Sequence, residues 1–80
     1  MDTRYTLLMK NIIDHYQDAL MNMYYWDRRA EAENNDVACR IRNDYVKVAS
    51  AYYVILTDDG MTEASIESIH EIAKALSKDL

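Results

Sequence analysis

The chain has 80 residues, half of them hydrophobic, which bounds it to one domain and excludes a disordered tail. One Gly and no Pro leave almost none of the residues that build hairpins, tight turns and phosphate-cradling loops, so a β-rich fold is excluded in favour of long helices. Nine Lys and Arg against fourteen Asp and Glu give a net charge of -5, the wrong sign for non-specific attraction to nucleic acid or an anionic membrane.

From Tyr5 the large apolar residues recur as Tyr5, Leu8, Ile12, Tyr16, Ala19, Met23, Trp26 and Ala30, in steps of three and four. The spacing predicts an amphipathic helix over about 3–32, capped by Asp2 or Thr3 and ended by the polar run from Glu31 to Asp36. A second helix is expected over about 36–58, with an inward face of Ala38, Ile41, Tyr45, Val48, Tyr52 and Ile55. Gly60 then follows as the left-handed residue. Near its end almost every position is apolar, which predicts that this helix is central. Thr62 caps a third helix over about 63–79, with Met61 and Ile66 placed as a hydrophobic staple. Its buried stripe is Ile66, Ile69, Ala73, Leu76 and Leu80, and Glu63, Glu67 and Glu71 form an acidic ladder opposite.

These elements predict an all-α fold: a long helical hairpin plus a third helix, a small three-helix bundle that associates as a homodimer. One alternative fuses the first two helices, since the three-four phase runs on through Asn34. Asn-Asn-Asp favours turns and caps over helix interiors, and this argues for the hairpin.

Charge is unevenly placed, with two basic and six acidic residues in 58–80, net -4. The single Cys39 makes no intrachain disulfide, nothing at the N-terminus reads as a signal peptide, and the longest apolar run, residues 51–56, is far short of the roughly 20 residues of a membrane span. A cytoplasmic protein without membrane attachment is the simplest expectation.

Candidate chemistry is sparse. Glu67 and His70 have the Glu-x-x-His spacing used by di-metal helical bundles, but Glu67 falls on the solvent side of its helix and no second motif exists, so no metal or other cofactor is expected. His15 lies beside the first apolar face, within reach of Asp18 as a surface pair; no nucleophile or oxyanion donors accompany it. Cys39, near Arg40, has no histidine base to activate it and reads as an ordinary small residue. Arg28, Arg29, Arg40 and Arg42 would gather at the hairpin tip, where interleaved Asp27, Glu31, Glu33, Asp36 and Asp44 favour ion pairs over a phosphate patch.

The aromatic set is seven Tyr and one Trp with no Phe, a composition suited to interfaces and thin cores. Leu7, Met21 and Tyr25 project from the back of the first helix, and Tyr53 and Val54 leave the face of the second. With Glu63, Glu67 and Glu71 they form the expected partner-binding set. Function then reads as a small acidic non-enzymatic interaction module, a regulator or inhibitor of a partner protein. Compactness, acidity and the lack of a site are in keeping with small phage or mobile-element regulators. A helical nucleic-acid-associated regulator is the alternative, disfavoured because the third helix would turn Glu63, Glu67 and Glu71 toward phosphates. A metal- or thiol-dependent enzyme using Glu67 and His70 or Cys39 is the second alternative.

Overall fold

In the computed structural model, which describes residues 3–80, three helices form a small bundle with extents of 48 × 20 × 20 Å. They are α1 (Thr3–Glu33), α2 (Asp36–Asp58) and α3 (Glu63–Ser77). Strand is absent among the described residues, and no helix is long and apolar enough to cross a membrane. The possible cap at Asp2 lies outside the described residues.

Side chains placed at the connections explain why the chain turns where it does. Asn34 takes a left-handed φ of 48°, a conformation Asn tolerates better than most residues, and it ends α1. Asn35 then caps α2, its side-chain oxygen accepting from the amides of Val37 (2.9 Å) and Ala38 (3.5 Å). The hairpin therefore forms and the fused helix does not. At the other end Gly60 adopts φ 98°, the Met61 amide donates to the Leu56 carbonyl (3.0 Å), and the Gly60 amide donates to that of Thr57 (3.0 Å). This is a Schellman closure, which satisfies two carbonyls that a helix end leaves free. Thr62 follows at once as the cap of α3, accepting from the Ser65 amide at 3.2 Å. Met61 and Ile66, on either side of that cap, both pack into the core as a staple does.

The central helix is α1, correcting the expectation that α2 would be. Both other helices pack on α1, and no Cα of α2 lies within 8 Å of a Cα of α3. The apolar band of α1 is wide enough for two neighbours: Met23 lines a cleft with Val46 and Ala49 of α2, and Tyr24 bonds His70 of α3. Alanines at 19, 49 and 73, all buried, let the backbones approach closely.

The inward face of α2 keeps Ala38, Tyr45 and Tyr52 as expected and departs from expectation by one residue at two positions. Ala49 and Leu56 are buried, whereas Val48 and Ile55 are each 45% exposed. Small Ala49 can sit against α1 where Val48 would hold it off, and Leu56 is drawn in by the Schellman turn and Met61. On α3 a similar departure recurs at the end: Ser77 is buried while Leu76 and Leu80 are exposed. Tyr5 and Leu8, also expected inside, are exposed. The Tyr5 hydroxyl instead bonds Asp59 across the hairpin's open end.

Candidate functional site

Where α2 and α3 part company, a groove runs along the bundle. Its floor is the α1 surface carrying Tyr16, Leu20 and Met23. One wall is the α2 row Val46, Ser50, Tyr53 and Thr57, spaced by fours and threes and so lying along one line of the helix. The other wall is α3, through Glu63, Ile66, Glu67 and His70. The space divides into clefts of about 360 Å³ and 190 Å³ that share Tyr53 and His70.

His70 is the polar pivot of this region. Its Nε2 lies 3.0 Å from the Tyr16 hydroxyl and its Nδ1 2.8 Å from the Tyr24 hydroxyl, with both tyrosine rings edge-on to the imidazole. A neutral ring has one N–H and one lone pair, so it donates to one tyrosine and accepts from the other. Burial lowers the His70 pKa and favours that neutral form. The same burial, aided by neighbouring phenols at Tyr16 and by Asp27 at Tyr24, raises both tyrosine pKa values. With both nitrogens engaged, the imidazole has no free lone pair to take a proton from a substrate. The arrangement joins α3 to α1 and supplies no poised base.

The Glu-x-x-His pair is split by the fold: Glu67 stands exposed on the groove rim, while His70 turns inward to the tyrosines. Among the described residues no group of three or more His, Cys, Asp and Glu converges as metal ligands would. His15 lies face to face with Tyr52, ring centres 6.1 Å apart and 15° from parallel, instead of pairing with Asp18. Cys39 is half-buried beside the hairpin tip.

The arginines do not form one cluster. Arg29 pairs with Glu33 (2.9 Å) and Arg42 with Asp27 (2.9 Å), the interleaved pairing expected. Arg28 does something the periodicity gave no hint of. It reaches across to the end of α3, donating to the Ser77 hydroxyl and carbonyl, each at 2.7 Å. The Ser77 hydroxyl in turn donates to the Lys74 carbonyl at 2.6 Å. A guanidinium at a helix C-terminus answers the free carbonyls and the negative end of the helix dipole. The one readable signal was Ser77 itself, a polar residue four positions beyond Ala73 on the buried stripe.

The expected partner-binding residues separate into three groups. Met21 packs on the core and Tyr25 is half-buried, its ring edge-on to Trp26 and its hydroxyl accepting from Arg29 at 3.2 Å, so neither projects freely as expected. Leu7 and Val54 are exposed on outer faces. Tyr53, 43% exposed, stands in the groove with Glu63 and Glu67 on the opposite rim, and Glu71 lies further out on α3. Sequence reasoning missed the flank of α2 on the other side of Ala49. There Val37, Val48 and Ile55, eleven and seven residues apart and so on one face, are all exposed. Leu8 of α1, seven residues before the His15 that stacks on Tyr52, extends that flank.

Comparison with known proteins returns no matching family model, no matching curated protein and no matching solved structure.

Proposed function

We propose that this chain is a small non-enzymatic protein-interaction module that works as a homodimer and regulates or inhibits a partner protein in the cytoplasm. The observation that carries this reading is the exposed flank of Val37, Val48 and Ile55 on α2. Large aliphatic residues repeat there on one helical face with no neighbour over them, although the same helix has already supplied Ala49 and Leu56 to the core. Spacings of eleven and seven residues keep these β-branched side chains on one helical face, the kind of stripe by which one helix packs against a copy of itself. Nucleic-acid binding gains nothing from the structure, since Arg28, Arg29 and Arg42 are all engaged within the bundle.

The test is the mass in solution. Light scattering at high micromolar concentration is expected to give twice 9.4 kDa. Val48→Lys combined with Ile55→Lys is expected to halve that mass while the circular dichroism stays helical. A mass of 9.4 kDa for the unaltered chain removes the dimer from this reading.

A further inference from the structure

The groove between α2 and α3 is shallow: Tyr16 and Leu20 at its floor are covered by its walls, and the apolar surface it offers is that of Val46 and Tyr53, both exposed on the α2 side. We infer that it receives a cationic amphipathic helix from a partner protein, its apolar face on Val46 and Tyr53 and its Lys or Arg residues beside Glu63 and Glu67. This deepens the reading of the chain as an interaction module.

Length, lining and charge each point to this occupant. The α2 wall extends from Val46 to Thr57, eleven positions, or about 17 Å of helix, which matches a guest of about 11 residues. The α2 row at fours and threes offers a docked helix the ridge that anchors at i, i+3, i+4 and i+7 need. Tyr53, an aromatic residue at the centre of the groove and shared by both clefts, is the kind of side chain that dominates such contacts.

Charge decides between possible guests. The α2 wall is uncharged, whereas α3 presents Glu63 and Glu67 four residues apart, and neither makes an ion pair among the described residues. Two cations one turn apart on the guest's α3-facing flank answer them directly. A second copy of this chain is placed on the other flank of α2, at Val48 and Ile55, and leaves this rim open. An acidic or neutral helix leaves both carboxylates beside apolar surface without a partner.

The experiment is selection on the full chain from a display library of helix-forming peptides of about 12 residues, randomised at every position. Enriched sequences are expected to combine an i, i+3, i+4, i+7 apolar stripe with Lys or Arg at i and i+4 on one flank. Amide shifts caused by the best peptide are expected around Tyr53, Ile66 and His70. Tyr53→Ala should weaken that peptide by about tenfold or more. Glu63→Gln with Glu67→Gln should weaken it about threefold to tenfold at low salt and less at high salt.

No enrichment, enrichment of acidic or uncharged stripes, or shifts centred on Val48 and Ile55 would each overturn the inference. Light scattering on the same sample keeps the two readings apart. A dimer that selects no cationic helix defeats the groove alone, and a monomer that selects one defeats the dimer alone.

Discussion

The two seams of α1 are built on different principles. Against α2 the contact is long and made mostly by shape: Ala19, Ala49 and Tyr52 pack in the seam, with His15 stacked on Tyr52, and one ion pair, Arg42 with Asp27, crosses it toward the hairpin tip. Against α3 it is shorter, and directional bonds define it at two stations, Tyr16 and Tyr24 on His70, then Arg28 on Ser77. Hydrogen bonds with fixed donors and acceptors hold a short helix to one rotation.

The largest expected effect is where the seams meet. Leu56 is fully buried, packing with α1 and beneath the start of α3. Leu56→Ala should cost about 2–5 kcal/mol in urea denaturation, enough to threaten the fold of so small a chain. A loss under about 1 kcal/mol would show that the hairpin end is loose and that the seams are independent there.

Arg28→Ala tests the polar station farthest from that end. It removes both donors from the Ser77 hydroxyl and carbonyl, and a loss of about 1–3 kcal/mol is expected. Hydrogen exchange should quicken in the last turn of α3 and remain unchanged in α2. Equal quickening in both helices would mean that the α3 seam is not set locally by its bonds. Thr62→Ala, which deletes the acceptor for the Ser65 amide, should cost about 1 kcal/mol and fray the start of the same helix. An unmoved denaturation midpoint would place the boundary of α3 under the control of Met61 and Ile66 packing instead.

Acidity gives the smallest and most selective effect. The folded pKa of His70 lies below its unfolded value of about 6.5, so between the two the unfolded chain binds the extra proton. The stability that His70 contributes is complete above about pH 6.5 and declines as pH falls toward the folded pKa. Midpoints measured between about pH 7.5 and pH 5 should slope downward for the unaltered chain, and that slope should flatten in His70→Gln. An unchanged slope in the variant would move the titrating group elsewhere.

Much of the fold was legible because it is announced by residues with strong local preferences. Asn34 and Asn35 mark the hairpin, Gly60 ends α2, and Thr62 between Met61 and Ile66 starts α3. Such signals act over one turn and need no knowledge of a neighbour. Helix rotation and helix order were less legible because they depend on partners. Val48 is as apolar as its position demands, yet Ala49 faces inward because only a small residue admits the close approach of α1. The long apolar end of α2 suggested a central helix, but that surplus lies on an outer flank.

The candidate site was legible only in part for the same reason. Glu63, Glu67 and Tyr53 stood out in sequence as exposed residues of two separate helices. Their meeting across one groove follows from α2 and α3 both packing on α1 while staying apart from each other. Met21 failed as a surface residue because it packs against the core, and Tyr25 because Trp26 and Arg29 of its own helix fold over it.

The separation of α2 from α3 also orders the assembly of the chain. The α1–α2 hairpin closes through a two-residue connection, whereas the bonds from α3 to α1 join positions 46 to 54 residues apart. Closing so long a loop in an unstructured chain is slow and entropically costly, but a formed hairpin delivers Met61 to α1 beside Met9 and Ile13 and leaves α3 only a short swing to complete. Because α2 meets α3 only near the connection between them, at Leu56, the swing succeeds or fails chiefly on α1. The third helix is thus the last to arrive and the first to leave, and its departure opens one whole wall of the groove while the hairpin persists.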